Sequence, residues 1–257
     1  MAVLRVWIFA MLVCLLCPHF NYFSEMKVTA NIATYPPRIT PQCLGRAINS
    51  LINQVDLIRI YFNECRPDLS LFVKYPDAPE KILILGNYNR TDNGKFYSLE
   101  NITEPEIYLT CDDDLIYPPD YVKRMVEAIE HYKCIVSFHG RQLLGTGLDY
   151  YKEHKSFHCL HGVIHDEMVD VVGTGVTGFD TRYFHPKGLA NSPDQKMSDL
   201  IFSLEAAKQN KQMGVISHAP NWIRHIDNKE TIHSTESVKC TPRQNQIANE
   251  IFELKYG

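Results

Sequence analysis

An α/β fold with a doubly wound, mostly parallel sheet flanked by helices is what this sequence predicts. Two observations carry the prediction. From residue 26 onward, short apolar runs of strand length alternate with segments of helical period, and strands separated by helices call for crossover connections between parallel neighbours. The chain of 257 residues, 45% hydrophobic and 22% charged, also has enough apolar material for a substantial core. Neither an internal repeat nor a low-complexity linker interrupts residues 26–257, which read as one domain.

The elements follow in order. "KVTANIATY" is β-rich and stops at Pro36-Pro37; "PQCLGRAINSLINQ" then spaces Leu44, Ile48, Leu51 and Ile52 as one buried helix face. "DLIRIYFN" and "KILILG" are short apolar strands bounded by turn residues. "EIYLTCDDD" is the next strand, followed by the helix "PPDYVKRMVEAIEHY" with proline in its first turn and the strand "CIVSFHG". An irregular stretch rich in Tyr, His and Gly leads to "MVDVVGTGVTGF", the helix "SDLIFSLEAAKQN" and the strand "MGVISHA".

Residues 1–25 lie outside this pattern. Their apolar run is shorter than the roughly 20 residues of a spanning helix and resembles a signal-peptide core, while Met26 opens the first strand of the fold. They are either a signal or anchor, which would associate the protein with a membrane, or an upstream extension; without them the expected location is the cytoplasm. Of the eight cysteines, Cys14 and Cys17 lie inside the apolar run, and the other six show neither paired metal-ligand spacing nor a disulfide framework and read as reduced thiols. The net charge of -4, with no basic run, argues against nucleic acid as a partner.

Chemistry concentrates at Asp112, Asp113 and Asp114, where an apolar strand ends. In such sheets ligands bind beyond the carboxyl ends of the strands, and a hard divalent cation shared with substrate phosphates would offset the repulsion among the carboxylates. The competing reading is a solvated acidic turn ahead of a helix.

The strand ending in "CDDDLIYPPDYV", after an opening strand ending in "ATYPPR", resembles the nucleotide-sugar-dependent glycosyltransferases of the GT-A fold, especially family 2-like enzymes. The resemblance covers most of residues 26–225. It implies that Asp112 and Asp114 take part in binding a Mn²⁺ or Mg²⁺ ion that bridges the donor diphosphate, with Asp113 beside them. It implicates Thr34, Tyr35 and Arg38 in holding the nucleotide, and it puts Asn63 where the family often has an aspartate against the base. It further implies that Asp199 is the general base, although Ser198 or Asp199 could instead cap the helix. Gly175, within "VVGTGVTGF", would line the donor sugar and acceptor pocket.

The resemblance also implies a C-terminal histidine completing the metal shell, His225 first and His233 second, while Trp222 either stacks on a sugar or anchors the last strand. The segment "HKSFHCLHGVIHDE" raises a zinc reading through His154, His158, Cys159, His161 and His165, but its irregular spacing and single cysteine favour a flexible acceptor-side loop. The implied function is metal-dependent, inverting transfer of a sugar from a nucleoside diphosphate donor, UDP-linked in the first instance, to the hydroxyl of a glycan or other acceptor. A nucleotidyltransferase acting on a sugar phosphate and a non-catalytic nucleotide-sugar-binding module are the alternatives.

Overall fold

The structure is a computed structural model that describes residues 26–65, 78–147, 149–226 and 232–257, with side chains of 78–79 and 232–241 left aside. Strands β1 (Lys27–Thr34), β2 (Leu57–Phe62) and β3 (Ile82–Leu85) are joined in part by helix α1 (Leu44–Leu51). A 3-10 segment over Thr91–Glu100 precedes β4 (Glu106–Cys111), the two-residue β5 (Leu115–Ile116) and helix α2 (Tyr121–Tyr132). Prolines 118 and 119 precede α2 and do not occupy its first turn, because Asp120 is its N-cap.

Then come β6 (Ile135–Ser137), β7 (Gly140–Leu143), β8 (His154–Phe157), β9 (Glu167–Met168), β10 (Val171–Val172) and β11 (Val176–Asp180). Helix α3 (Ser198–Lys208), β12 (Met213–Val215), β13 (Arg224–His225) and helix α4 (Ile232–Tyr256) complete the order. The last helix was not among the sequence expectations.

One eight-stranded sheet, in the order β3-β2-β1-β4-β11-β6-β12-β9, organises the molecule. Strands β3, β2, β1 and β4 are mutually parallel, β11 is antiparallel to both its neighbours β4 and β6, and β9 closes the far edge antiparallel to β12. The parallel doubly wound expectation therefore holds, with β11 as an inserted reversal. From β1 the chain winds outward to β2 and β3 and then returns to add β4 on the other side of β1. That reversal opens a crevice at the carboxyl ends of β1 and β4, the place where ligands bind in sheets of this kind.

Alternation along the strands supplies both faces of the sheet. Ile107, Leu109 and Cys111 join Ala30, Ile32, Ile58 and Ile60 in the core beneath α1 and α2. Tyr108 points the other way, into a second core with Phe96, Phe179, Phe202 and Ile251 against α3 and α4. Residues two apart share a face of a strand, so the fully buried β4 serves both cores. Burying each such side chain contributes about 1.5–3 kcal/mol relative to exposure.

Register fixes what meets at the crevice. Cys111 of β4 lies opposite Ile32 of β1 and opposite Val176 of β11. The aspartates after Cys111 and the glycine before Val176 are thereby brought side by side.

Candidate active site

Two protein cations, Arg38 and Lys95, offset the charge of the aspartates. Arg38 follows β1 in a single 3-10 turn, and its Nη1 lies 2.6 Å from Asp113 Oδ1 and 2.8 Å from Asp114 Oδ2. Lys95 Nζ lies 2.5 Å from Asp112 Oδ1. Thr34 Oγ1, at the end of β1, donates to Asp113 Oδ2 at 2.7 Å. Asp113 is only 3% exposed, which excludes the solvated-turn reading for that residue.

Electrostatics separate the carboxylates. Burial pushes Asp113 above the ordinary carboxylate range against the pull of Arg38 and Thr34. Asp114 is held below that range: burial opposes this, but the His225 hydrogen bond and Arg38 outweigh it. Burial likewise works against the charges of Arg38 and Lys95, yet their aspartate partners hold both above their ordinary values. Of the two buried carboxylates Asp114 is the one held ionised, while Asp112, with its side chain 40% exposed, is the carboxylate most open to an ion.

The other wall comes from the loop between β10 and β11. A Cβ on Gly175 would lie 2.1 Å from Asp112 Oδ2, so only glycine lets this carboxylate rest on the backbone there. Tyr117 ties the two together, its hydroxyl accepting from the Asp112 N–H at 2.7 Å and donating to the Gly175 carbonyl at 2.8 Å. One residue earlier, the Thr174 N–H and Oγ1 donate to Asp199 Oδ1 at 2.8 and 2.7 Å.

Asp199 stands in the first turn of α3, whose N-cap is Met197, and its side-chain hydrogen bonds among the described residues go to Thr174 and not to its own helix. The capping alternative therefore does not describe its contacts. Burial raises its carboxyl, while the Thr174 bonds and then Lys95 and Arg141 act in the opposite direction. A partly desolvated carboxylate with one oxygen fixed and the other uncommitted among the described contacts has the form required of a proton acceptor.

A second cluster borders this wall. The antiparallel pairing of Gly140 with Phe157 continues outward to set His139 across from His158, with ring centroids 4.6 Å apart. The ligand atoms of His139, His158 and Cys159 lie within 4.8 Å of one another. Burial pushes His139 down to about 3 and the Cys159 thiol up to about 12, the latter with Asp112, Asp199 and Asp114 contributing. The expected acceptor-side loop is thus in part a strand, β8, within a three-stranded sheet of β10, β7 and β8.

Comparison with known proteins places this architecture. No family model matches the chain, and no curated protein matches it. Among solved structures, S. aureus TarS 1–349 in complex with UDP-GlcNAc is similar at a TM-score of 0.53 and 14% identity, over 90% of this chain and 73% of that one. A mannosyltransferase, PcManGT from Pyrobaculum calidifontis, in complex with GDP-Man and Mn²⁺, is similar at 0.51 and 12%, over 88% and 69%. The chain has the GT-A glycosyltransferase fold.

The remaining expected residues take varied places in this GT-A fold. His225 of β13 pairs with Leu115, which brings its Nε2 to 3.5 Å from Asp114 Oδ2. A carboxylate oxygen and an imidazole nitrogen are donors of the kind Mn²⁺ accepts, and Asp114 with His225 are the candidates to hold such an ion, which would take the place of the hydrogen bond between them. Arg38 shares that same Asp114 oxygen, and its ring partner is Tyr35, 5.2 Å from the guanidinium.

Asn63 is buried, and its amide bonds the carbonyls of Thr34 and Thr91 and the N–H of Arg90, so it braces the crevice through backbone groups. Trp222 packs on Phe138 at 4.7 Å, receives Arg124 at 4.6 Å and donates to Asp120, contacts that match its anchoring alternative. The side chain of His233 lies outside the described residues.

Lys95, Thr174 and Tyr117 escaped the sequence reading. Lys95 sits in the polar run "TDNGK", and nothing local marks it as a buried cation. The glycines around Thr174 were the available signal.

Proposed function

We propose that the protein is a metal-dependent glycosyltransferase that moves a sugar from a nucleoside diphosphate donor, UDP-linked in the first instance, to an acceptor hydroxyl with inversion. The observation that carries the reading is the shared crevice of Asp112–Asp114 and Asp199, joined through Gly175 and Thr174. The known complexes of TarS with UDP-GlcNAc and PcManGT with GDP-Man and Mn²⁺ support a nucleotide-sugar donor on this fold.

In this reading Thr34 and Tyr35 border the nucleotide, and Asp114 with His225 hold Mn²⁺ or Mg²⁺. Bound there, the ion would supply electrophilic stabilisation to the departing diphosphate. Asp199 Oδ2 takes the proton from the acceptor hydroxyl as its oxygen attacks the anomeric carbon, and the bond to the diphosphate breaks on the opposite side. Lys95 and Arg38 keep the carboxylates apart in charge and preorganise the site before the donor arrives. We assign residues 26–257 to this one catalytic domain.

No helix among the described residues is long and apolar enough to cross a membrane. A membrane role would rest on residues 1–25, and we propose the cytoplasm as the site of the catalytic domain.

Release of free nucleoside diphosphate tests the reading. Screening UDP- and GDP-sugars with Mn²⁺ against hydroxyl acceptors should yield the diphosphate; pyrophosphate as the product would instead establish the nucleotidyltransferase, and binding without either product would establish a binding module.

A further inference from the structure

Two imidazoles and a thiol converge beside the crevice, and neither the aspartate site nor the transfer reading uses them. His139 immediately precedes β7, and His158 and Cys159 follow β8 directly. The β7–β8 pairing sets the two imidazoles face to edge, so their meeting is a product of register. Cys159 is 7% exposed and carries a free thiol. One sulfur and two imidazole nitrogens lie within 4.8 Å of one another.

We propose that His139, His158 and Cys159 form a site for a borderline-soft divalent ion of the zinc class, separate from the carboxylate site for Mn²⁺ or Mg²⁺.

Donor chemistry supports the separation. Thiolate and imidazole select zinc-like ions, whereas carboxylates and phosphates select Mg²⁺ and Mn²⁺. Zinc bonds of about 2.0–2.1 Å to nitrogen and 2.3 Å to sulfur put tetrahedral ligand atoms about 3.3–3.6 Å apart. Closing the set around an ion therefore requires side-chain shifts on the order of 1 Å, within the reach of rotamer adjustment.

His158 Nδ1 accepts the Leu160 N–H at 3.2 Å, and coordination through that nitrogen exchanges this long bond for the metal. Binding also releases the Cys159 proton, because the thiolate is the ligand. Three protein ligands leave the fourth position to water.

The segment's other histidines are not members of the set. His154 Nδ1 is engaged with the Tyr150 carbonyl at 2.8 Å, and His161 stacks on His158 at 4.7 Å without joining the group of ligand atoms. The position gives the ion a consequence for the crevice. Gly173 donates its N–H to the His139 carbonyl at 2.8 Å, and a Cβ on Gly173 would lie 2.9 Å from His139. An ion on His139 would brace the loop that carries Thr174 and, through it, Asp199.

Cobalt(II) reports the site without any substrate, so its outcome is independent of the transfer reading. The full chain, stripped with chelator and shown folded by circular dichroism, is titrated with Co²⁺. We expect one equivalent to produce the thiolate-to-cobalt charge-transfer band and intense tetrahedral d–d absorption, and Zn²⁺ to abolish both. Asp114→Ala keeps the bands and Cys159→Ser loses them.

A weak octahedral spectrum without the thiolate band, in folded wild-type protein, overturns the proposal, as does persistence of the band in Cys159→Ser. Alkylation of Cys159 followed by mass spectrometry gives a second readout on the wild-type chain. Zn²⁺ should slow the modification at least tenfold, and equal rates with and without Zn²⁺ would overturn the site.

Discussion

Replacing Asp199 with Asn isolates the proton-accepting role with little change in shape. Both Thr174 bonds end on Oδ1, and an amide oxygen accepts the same two donors. The second oxygen becomes an NH₂ group, which has no lone pair for an incoming proton. General-base assistance contributes roughly 10²–10⁴-fold, so kcat should fall by that factor, equivalent to about 3–5.5 kcal/mol of barrier.

Stability should move the other way. Burial raises the folded-state pKa of Asp199 above its unfolded value, so its favourable contribution is present at low pH and is lost as pH rises from the unfolded to the folded value. At pH 7 the ionised carboxylate is therefore a cost to folding, and Asp199→Asn should melt at the same temperature as the parent or higher. Diphosphate release under saturating donor, UDP titration calorimetry with Mn²⁺ and thermal melts are the assays. A variant that keeps more than a tenth of kcat would refute the base assignment; one that loses UDP binding would show that Asp199 belongs to the donor site.

Three further predictions use the same contacts. Thr174→Val removes a hydrogen bond that lowers the Asp199 pKa, so the acidic limb of the pH–rate profile should shift to higher pH, with the alkaline limb in place. Arg38→Ala leaves Asp113 and Asp114 buried without their shared cation and should cost about 3–5 kcal/mol in urea unfolding, the range for breaking a buried pair from one side. Gly175→Ala must displace the Asp112 carboxylate; turnover should fall on the order of 100-fold, as for a 1 Å misplacement at a reacting centre, while circular dichroism is unchanged.

Much of the fold was legible because its strands are locally distinct. "KILILG" and "EIYLTC" announce themselves by composition, and the Leu44, Ile48, Leu51 spacing gives α1 its buried face. Strand direction was not legible in the same way: β11 looks like any short apolar strand, and its reversal depends on neighbours distant in sequence. Helix α4 was missed because its apolar signal is sparse, with Ile247, Ala248 and Ile251 as the buried apolar side chains among its described residues and Pro242 within it.

At the site, the aspartates and Asp199 could be placed because each begins or ends an element. Arg38 could be named but not its partners, since a guanidinium serves a phosphate and a carboxylate equally well. The histidine segment shows the limit most clearly. A spacing search within residues 154–165 holds three imidazoles that the structure sets aside, whereas His139, nineteen positions before His158, enters only through strand pairing.

The junction of β4 and β11 also sets where this molecule can tolerate a change of length. Because Val176 faces Cys111 across the ladder, the count of residues from each strand to its working group acts as a ruler shared by both walls. One residue inserted between positions 173 and 176 would rotate a side chain into the place that the Asp112 carboxylate fills against Gly175 and carry Thr174 away from its carboxylate partner. The same insertion in the exposed turn near residues 145–147 would lengthen a hairpin and leave that measure intact. Diversity in what this scaffold recognises can therefore accumulate in its hairpins, while the spacing between its strands and its aspartates stays fixed by counting.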